Sequence, residues 1–348
     1  MDNIVTLAVN GQEYGGWKTV EIQKSLKSAC NGFSLDVSEK WPNGGWRIPG
    51  GSACEIFIDG DLDITGYVDK HSFSIDDNDH TVTINGRSKT SDIVDCGCIH
   101  EPGNWVEQTA GAIAEELCGP FGIVVDIQAE GAPIPKYDIN QGETVFETIE
   151  RAAKSQQFLI VTNPFGDLVL TDSNNAEHYN FVLPDYLIAS ANFDYSKRYS
   201  HYLVKAQQHG PDFDDPAEAC EVVGECEDTK LPRYRSKVIR PEGSINQDEA
   251  TKRAEWERNR DIGESISVKI ELQGFYTPDN KLWDINRIIR VTDDVLGLDH
   301  DLLIYALTRR QTKTEGTKTI LELAPPEAFK PAPITKKVAE TVGGYHDL

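Results

Sequence analysis

Long apolar runs are missing from this sequence, and with them any helix able to span a bilayer, which takes about 18 or more consecutive apolar residues. Basic residues are scarce. Only 34 Lys and Arg stand against 57 Asp and Glu, a formal charge of −23 over 348 residues. Proteins that grip nucleic acid present basic stripes that neutralise phosphate, so tight DNA binding is disfavoured. An acidic surface repels DNA and membranes alike, and it also serves solubility. Paired cysteines are missing as well. The seven at Cys30, Cys54, Cys96, Cys98, Cys118, Cys220 and Cys226 are odd in number and scattered, unlike the framework of a small secreted domain. Reduced, mostly buried thiols in a protein assembled in a cytoplasm are expected. The opening MDNIVTLAVNG has neither the basic region nor the apolar core of a secretory leader.

Catalytic signatures are absent too: no G-x-S-x-G elbow, Walker loop, HExxH or dinucleotide fingerprint occurs. The glycine-rich stretch Gly44–Gly51 lacks the lysine and the following helix of a phosphate cradle, and reads as a loop between strands. Cys96-Gly97-Cys98-Ile99-His100 is the most metal-like cluster, and Cys118 could add a ligand. Zinc needs four, however, and no second spaced pair follows. A strand-to-loop transition with buried thiols is expected there. Cys220 and Cys226 flank an acidic segment and could be bridged, or could remain exposed and oxidation-sensitive.

Asp59, Asp61 and Asp63 invite comparison with glycosidases, which set two carboxylates roughly 5–10 Å apart in a cleft. Any hairpin turn would put solvated acids in the same places, and that reading is preferred. Trp17, Trp41, Trp46 and Trp105 could stack on sugar rings, but core or interface packing is the first expectation for them and for Trp256 and Trp283. The residues thus point to no enzyme, with no catalytic, cofactor or metal site. A carbohydrate-binding or cell-wall-degrading protein stays as the alternative.

What is present is β-structure in quantity. Apolar residues make up 39% of the chain, enough to bury real cores, and the length suits two to four domains at roughly 100–200 residues each. Residues 1–90 read as short strands. Phe33, Leu35 and Val37 alternate with polar neighbours. The run Cys54–Ile58 stops at the hairpin signal Asp59-Gly60. Gly66–Ile75 and Thr81–Asn85 form a strand pair across an acidic turn at 76–79. From residue 91 the period changes to helical. Trp105–Leu117 predicts a helix with Val106, Ala110, Ile113, Ala114 and Leu117 on one stripe, ended by Gly119-Pro120. A capping box at Thr144/Glu147 opens a second helix. Phe158–Thr162 and Leu168–Thr171 then make a hairpin.

Strands return from 176: His201–Gln207, then Ile266–Leu272, then Leu302–Leu307 with Thr319–Leu323. Between them lie an acidic segment, Pro211–Glu227, read as an exposed loop, and a charged helix from a capping signal at Ser244–Gln247 to Arg260. The pair Gly66–Arg87 resembles Leu302–Leu323 in length and pattern, a faint internal repeat. The tail from Lys330 has no amphipathic run long enough to fold alone and is expected to be flexible until a partner orders it.

The stretch Gly86-Arg87-Ser88-Lys89-Thr90-Ser91-Asp92-Ile93-Val94-Asp95-Cys96 resembles the "GRSxTxDLVDC" segment of Mu-like baseplate hub proteins of contractile-tailed bacteriophages, where it closes the first tube domain. VNGQEYGGWKTVEIQKSLKSACNGFSL and CEIFIDGDLDITGYVDK are similar to that family's opening strands and hairpin. RAEWERNRDIGESISVKIELQGF, LWDINRIIRV, LLIYALTRR and LELAPPEAF resemble its second tube domain. The matches run in order over nearly the whole chain, and type VI secretion spike hubs share the architecture.

The resemblance implies a mainly β, α+β chain with two β-barrel tube domains separated by a small α/β module. The first tube domain would be 1–90 and the α/β module 91–175. The second tube domain would be 176–329, carrying an inserted loop and helix at about 208–262, with a flexible tail at 330–348. It further implies a homotrimeric structural hub of the virion tail baseplate, joining the tail tube to a central spike. Other baseplate proteins would be its neighbours, and DNA would be met only in transit during genome ejection. The acidic segment 211–227 has no place in the family pattern and reads as an insertion.

Overall fold

The computed structural model describes residues 4–38, 48–75, 80–129, 131–156, 158–171, 176–207, 221–241 and 246–329. Trp41, Trp46, most of the glycine-rich loop, the acidic turn at 76–79, the segment 211–220 with Cys220, Ser244, and the tail from Lys330 lie outside these residues. The chain divides into two compact units, Met1–Asn192 with Ser267–Pro326, and Phe193–Ile266 with Glu327–Leu348. It is mainly β with few helices, as the alternation predicts.

In the first unit the chain opens with β1 (Val5–Val9), β2 (Gln12–Tyr14), β3 (Thr19–Ser25), β4 (Gly32–Ser38), β5 (Ala53–Ile58), β6 (Asp61–Ile75) and β7 (His80–Ser88). They pair in the order β2-β1-β5-β6-β7-β4-β3, every pair antiparallel. Asp59 and Gly60 both take positive φ, 51° and 93°, the mirror-type turn whose twist matches the strands it joins. Alternate residues such as Leu7, Ile22, Leu35, Ile56 and Ile84 face inward to one apolar core.

An α/β module follows: α1 (Ser91–Asp95), β8 (Asn104–Gln108), α2 (Ala110–Cys118), β9 (Val125–Ile127), β10 (Ile134–Asp138), α3 (Val145–Ser155), β11 (Leu159–Thr162) and β12 (Leu168–Thr171). The capping box at Thr144 and Glu147 forms in both directions. The first predicted helix is shorter than its stripe suggested. Asn104–Gln108 is a strand paired with β10, Val106 is exposed, and the helix starts only after its true N-cap, Thr109, whose Oγ accepts from Ala112. A helical spacing that a strand partner claims is overridden by tertiary pairing. Gly119 stays right-handed and opens a short 3₁₀ turn, so the left-handed stop is Gly122, at φ 62°.

Then come β13 (Glu177–Val182) and β14 (Ile188–Phe193), before the chain enters the second unit. There β15 (His201–Gln207), β16 (Glu221–Glu227) and β17 (Ser236–Ile239) form a three-stranded sheet in the order β16-β15-β17, and α4 (Gln247–Glu264) packs on it. Glu221–Glu227, read from its acidity as loop, is a strand, because Val222 and Gly224 meet α4 while Glu225 and Glu227 are exposed. A Cβ on Gly224 would lie 2.2 Å from the Ala250 backbone, so only glycine lets helix and strand approach this closely. The helix begins at Asn246, whose side chain and that of Glu249 make the capping box. The cap is thus two residues later than the Ser244 signal, and the helix runs past Arg260 to Glu264. Inside this unit Arg198 pairs with Asp228, both buried, and Lys237 reaches Glu257 at 3.0 Å and Asp261 at 2.8 Å.

Back in the first unit, β18 (Ile266–Gln273), β19 (Arg287–Asp293), β20 (Leu298–Thr312) and β21 (Gly316–Ala324) complete the chain's strands. Their order, β13-β19-β20-β21-β18-β14, repeats that of the opening module without a counterpart of β2, and β13 runs parallel to β19 where β1 runs antiparallel to β5. The two modules are joined by hydrogen bonds between β3 and β20 into one 13-stranded sheet.

Candidate functional site

The residues that distinguish this molecule gather where the two β-modules meet. Along the seam, Ser25 to Thr19 pair antiparallel with Ala306 to Thr312, joining segments nearly a chain length apart. Beneath the seam lie three fully buried charges. Asp63 on β6 accepts from Lys24 on β3 at 2.7 Å and from Arg309 on β20 at 2.7 Å. Arg309 also donates to the Trp283 carbonyl. Asp284, part-exposed, stands 3.6 Å from Lys24 and brings a second negative charge to the cluster. Burial opposes the ionised form of Asp63, but the Arg309 and Lys24 charges outweigh it and hold its carboxyl below the ordinary range.

A carboxylate so paired has no proton to give near neutrality and no open face for substrate. Its action is to tie β3, β6 and β20 into one register. Asp63 is therefore not the solvated turn acid expected of it. Asp59, in the turn, accepts from the Ile4 amide at 2.7 Å and from Tyr276 Oη at 3.0 Å, and Asp61 is exposed. The three acids do not share a cleft. A signal for the cluster stood in the sequence: Lys24 falls in phase with Val20 and Ile22, and Arg309 in phase with Leu307, so strand alternation sends two charges inward.

The GRSKTSDIVDC stretch is a joint between the β-module and the α/β module. At Gly86 a Cβ would lie 2.3 Å from both the Phe33 ring and the Tyr67 carbonyl. Arg87 bridges Asp69 at 2.6 Å and Asp95 at 2.7 Å. Ser88 Oγ accepts from the Asn31 amide and contacts Thr90 Oγ1 at 2.8 Å. Thr90 Oγ1 lies 3.3 Å from Thr162 Oγ1, which donates to the Ala29 carbonyl at 2.6 Å. Deeper in the α/β module, Arg151 clasps Glu143. Hydrogen bonds from Arg151 and Asn140 lower the Glu143 carboxyl to about 2.

The remaining singled-out residues are dispersed. Cys96 is exposed and Cys98 half-buried. His100 stacks on Trp105 at 4.5 Å and sets Nε2 3.2 Å from Glu116. Cys118 is buried in α2, where desolvation pushes its thiol up to about 12. Among the described residues no group of three or more His, Cys, Asp or Glu side chains is placed to hold a metal. Cys226 Sγ lies 2.7 Å from Arg258. Trp17, Trp105 and Trp283 are buried, and the Trp256 ring carries Arg253 and Arg260 at 4.7 and 4.9 Å. The described tryptophans therefore form no exposed stacking platform.

Comparison with known proteins agrees with this architecture. Residues 4–88 match the N-terminal domain of the Mu phage baseplate assembly protein GpP-like family, and residues 246–332 match the fourth domain of Mu phage baseplate assembly protein GpP. Residues 90–172 match the second domain of the gp44-like baseplate hub proteins. Baseplate hub protein gp44 of Escherichia phage Mu is 29% identical over 340 residues, covering 94% of this chain and 89% of that protein. The crystal structure of the 43 kDa tail protein of prophage MuSo2 from Shewanella oneidensis superposes with a TM-score of 0.81 at 30% identity, covering 95% of this chain and all of that one. The tail protein from Neisseria meningitidis MC58 shares the fold at 22% identity, with a TM-score of 0.76 and coverage of 95% and 99%. So does the Escherichia coli type VI secretion component c3393, at 11% identity, with a TM-score of 0.59 and coverage of 95% and 80%. In sequence, domain order and fold, this chain belongs to the Mu-like baseplate hub family of contractile-tailed phages.

Proposed function

We propose that the chain assembles as a homotrimeric ring at the centre of the tail baseplate, joins the tail tube to the central spike, and leaves a channel for DNA during ejection. The observation that carries this reading is the repeat of one strand order in two β-modules on one sheet. Three chains with two like modules each present six similar units, which suits a sixfold tube on one side and a threefold spike on the other. On this reading residues 1–90 and 176–329 supply two β-barrel tube domains, 91–175 the α/β module between them, and 330–348 a tail ordered by a neighbour. The second tube domain would carry the inserted 208–262. Baseplate proteins around the ring would be its other partners, and assembly would take place in the host cytoplasm before incorporation into the virion.

The charge supports a conduit that does not hold its cargo. Three chains carry 3 × −23 = −69 formal charges, and a lumen sharing that sign would let DNA slide without binding. A structural role needs no turnover, in keeping with relatives named as hub and tail proteins. The test is solution mass by light scattering over a dilution series. Three chains of 38.7 kDa give about 116 kDa; a mass of 38.7 kDa at every concentration overturns the trimer.

A further inference from the structure

The two halves of the internal repeat differ at their free edges. β6 and β20 are both fifteen residues long. Each has a bulge at which the register with its hairpin partner skips one residue, Asp69 against β7 and Tyr305 against β21. In both, the half before the bulge pairs on two sides, β6 with β5 and β7, β20 with β19 and β21. After the bulge the two strands part company. β20 keeps two partners, because β3 takes over the edge that β19 leaves. Residues 70–75 of β6 have β7 on one edge and, among the described residues, no strand on the other, and they are exposed throughout.

The same repeat contains a second open edge. β14 stands beside β18 as β3 stands beside β4. The Lys18 amide donates to the Asp36 carbonyl in one module, and the Leu187 amide to the Glu271 carbonyl in the other. β3 uses its far edge to pair with β20, whereas β14 is the last strand of the sheet among the described residues. Among the described residues, two edges of complementary position have no strand partner, one in each module.

We infer that these edges pair between copies: β14 of one chain adds antiparallel to residues 70–75 of the next, reproducing the β3–β20 seam as an intermolecular seam. The inference rests on the trimeric reading above and names the contact that closes the ring. Register follows from the internal seam. Counting from Leu187 as from Lys18, and from Asp69 as from Tyr305, the Lys24–Leu307, Ile22–Arg309 and Val20–Gln311 pairs become Phe193–His71, Ala191–Phe73 and Ala189–Ile75.

Side-chain chemistry agrees with that register. His71, Phe73 and Ile75 lie opposite Ile84, Val82 and His80 on β7, the face of β7 that carries the core. Phe73 is nonetheless 53% exposed and Ile75 68% in the single chain. Alanines at 189 and 191 leave room for those two large side chains, and on the opposite face Ser190 meets Ser74 and Asn192 meets Ser72, all short and polar. An open strand edge flanked by apolar residues is a template for pairing unless something covers it, and a second copy supplies the cover.

The experiment is a cysteine pair in the full chain. Ser74→Cys with Ser190→Cys places the two thiols directly across the proposed seam, within the Cα separation a disulfide spans. Oxidation is expected to give covalent dimers and trimers on denaturing gels. The single variants and the slipped pair Ser74→Cys with Ala189→Cys should give none. Phe73→Asp with Ile75→Asp is expected to raise the concentration for assembly by at least about tenfold while leaving the monomer's circular dichroism unchanged. A trimer by light scattering that neither cross-links in this register nor weakens with the acidic pair overturns the seam and leaves the hub reading standing. A monomer at every concentration overturns both.

Discussion

β6 and β20 are nearly one strand written twice, yet they live in different surroundings. Beyond its bulge β20 lies between two strands, and Arg309 there has no exposed surface. Beyond its bulge β6 has one strand partner among the described residues, and Phe73, at the position matching Arg309, is half exposed. The internal seam buries charge, with Lys24 and Arg309 gathered on Asp63. The matching positions on the open edges are apolar. A seam made within one chain forms once, during folding, and its buried ion cluster punishes any other register, since a slip would leave charges unpaired in the interior. A seam made between chains must first exist as exposed surface, where apolar and small polar groups carry no unpaired buried charge before assembly.

The comparison can be broken most severely at Asp63. Asp63→Ala strands two buried cations and is expected to cost about 3–5 kcal/mol, read as a lowered urea midpoint. Replacing Asp63, Lys24 and Arg309 together by apolar residues of similar volume should recover much of that loss. If it does not, the cluster contributes more than register.

The apolar side of the same seam comes next. Ile22→Ala, at a fully buried position opposite Arg309, is expected to cost about 2–4 kcal/mol. Acid titration sharpens the electrostatic side. Asp63 titrates below its ordinary 3.8 in the folded chain, and Glu143 falls from 4.5 to about 2. Both bind protons more readily when unfolded, so their stabilisation is complete above the unfolded values and is lost as pH falls through the folded ones. Stability should therefore fall between about pH 5 and 2, and Glu143→Gln should flatten part of that slope in equilibrium unfolding.

Smaller effects belong to the surface. Arg87→Ala removes two ion pairs whose partners are about one-third to one-half exposed, and is expected to cost under about 1 kcal/mol. The smallest is Phe73→Ser. Below the assembly concentration it should move the chain's unfolding by no more than about 0.5 kcal/mol, in contrast to Ile22→Ala on the covered edge.

Much of the fold was legible along the chain because burial of one strand face writes a period of two. Phe33, Leu35 and Val37 and the Asp59-Gly60 turn give their strand and hairpin directly, and the Thr144/Glu147 cap marks its helix to the residue. The failures share a cause. Asn104–Gln108 carries helix-like spacing and becomes a strand because β10 pairs with it, and Glu221–Glu227 looks like an acidic loop because only its alternate residues meet α4. In each case a partner distant in sequence outweighed local preference. The buried cluster was half-visible: the inward phase of Lys24 and Arg309 could be read, but not that both converge on Asp63.

By itself, then, the sequence determined the kind of structure: mainly β, acidic, free of the signatures of catalysis, and marked by a hairpin that occurs twice. Those properties follow from composition and short-range periodicity, which need no knowledge of distant contacts. Only the tertiary structure decided that the two hairpins share one sheet, that Asp63 is an ion-paired core residue where its neighbours Asp59 and Asp61 are not, and that, among the described residues, two strand edges have no strand partner. Such facts depend on which strands become neighbours. Pairing between segments almost three hundred residues apart is set by the packing of the whole unit, because no local spacing can specify a partner that far along the chain.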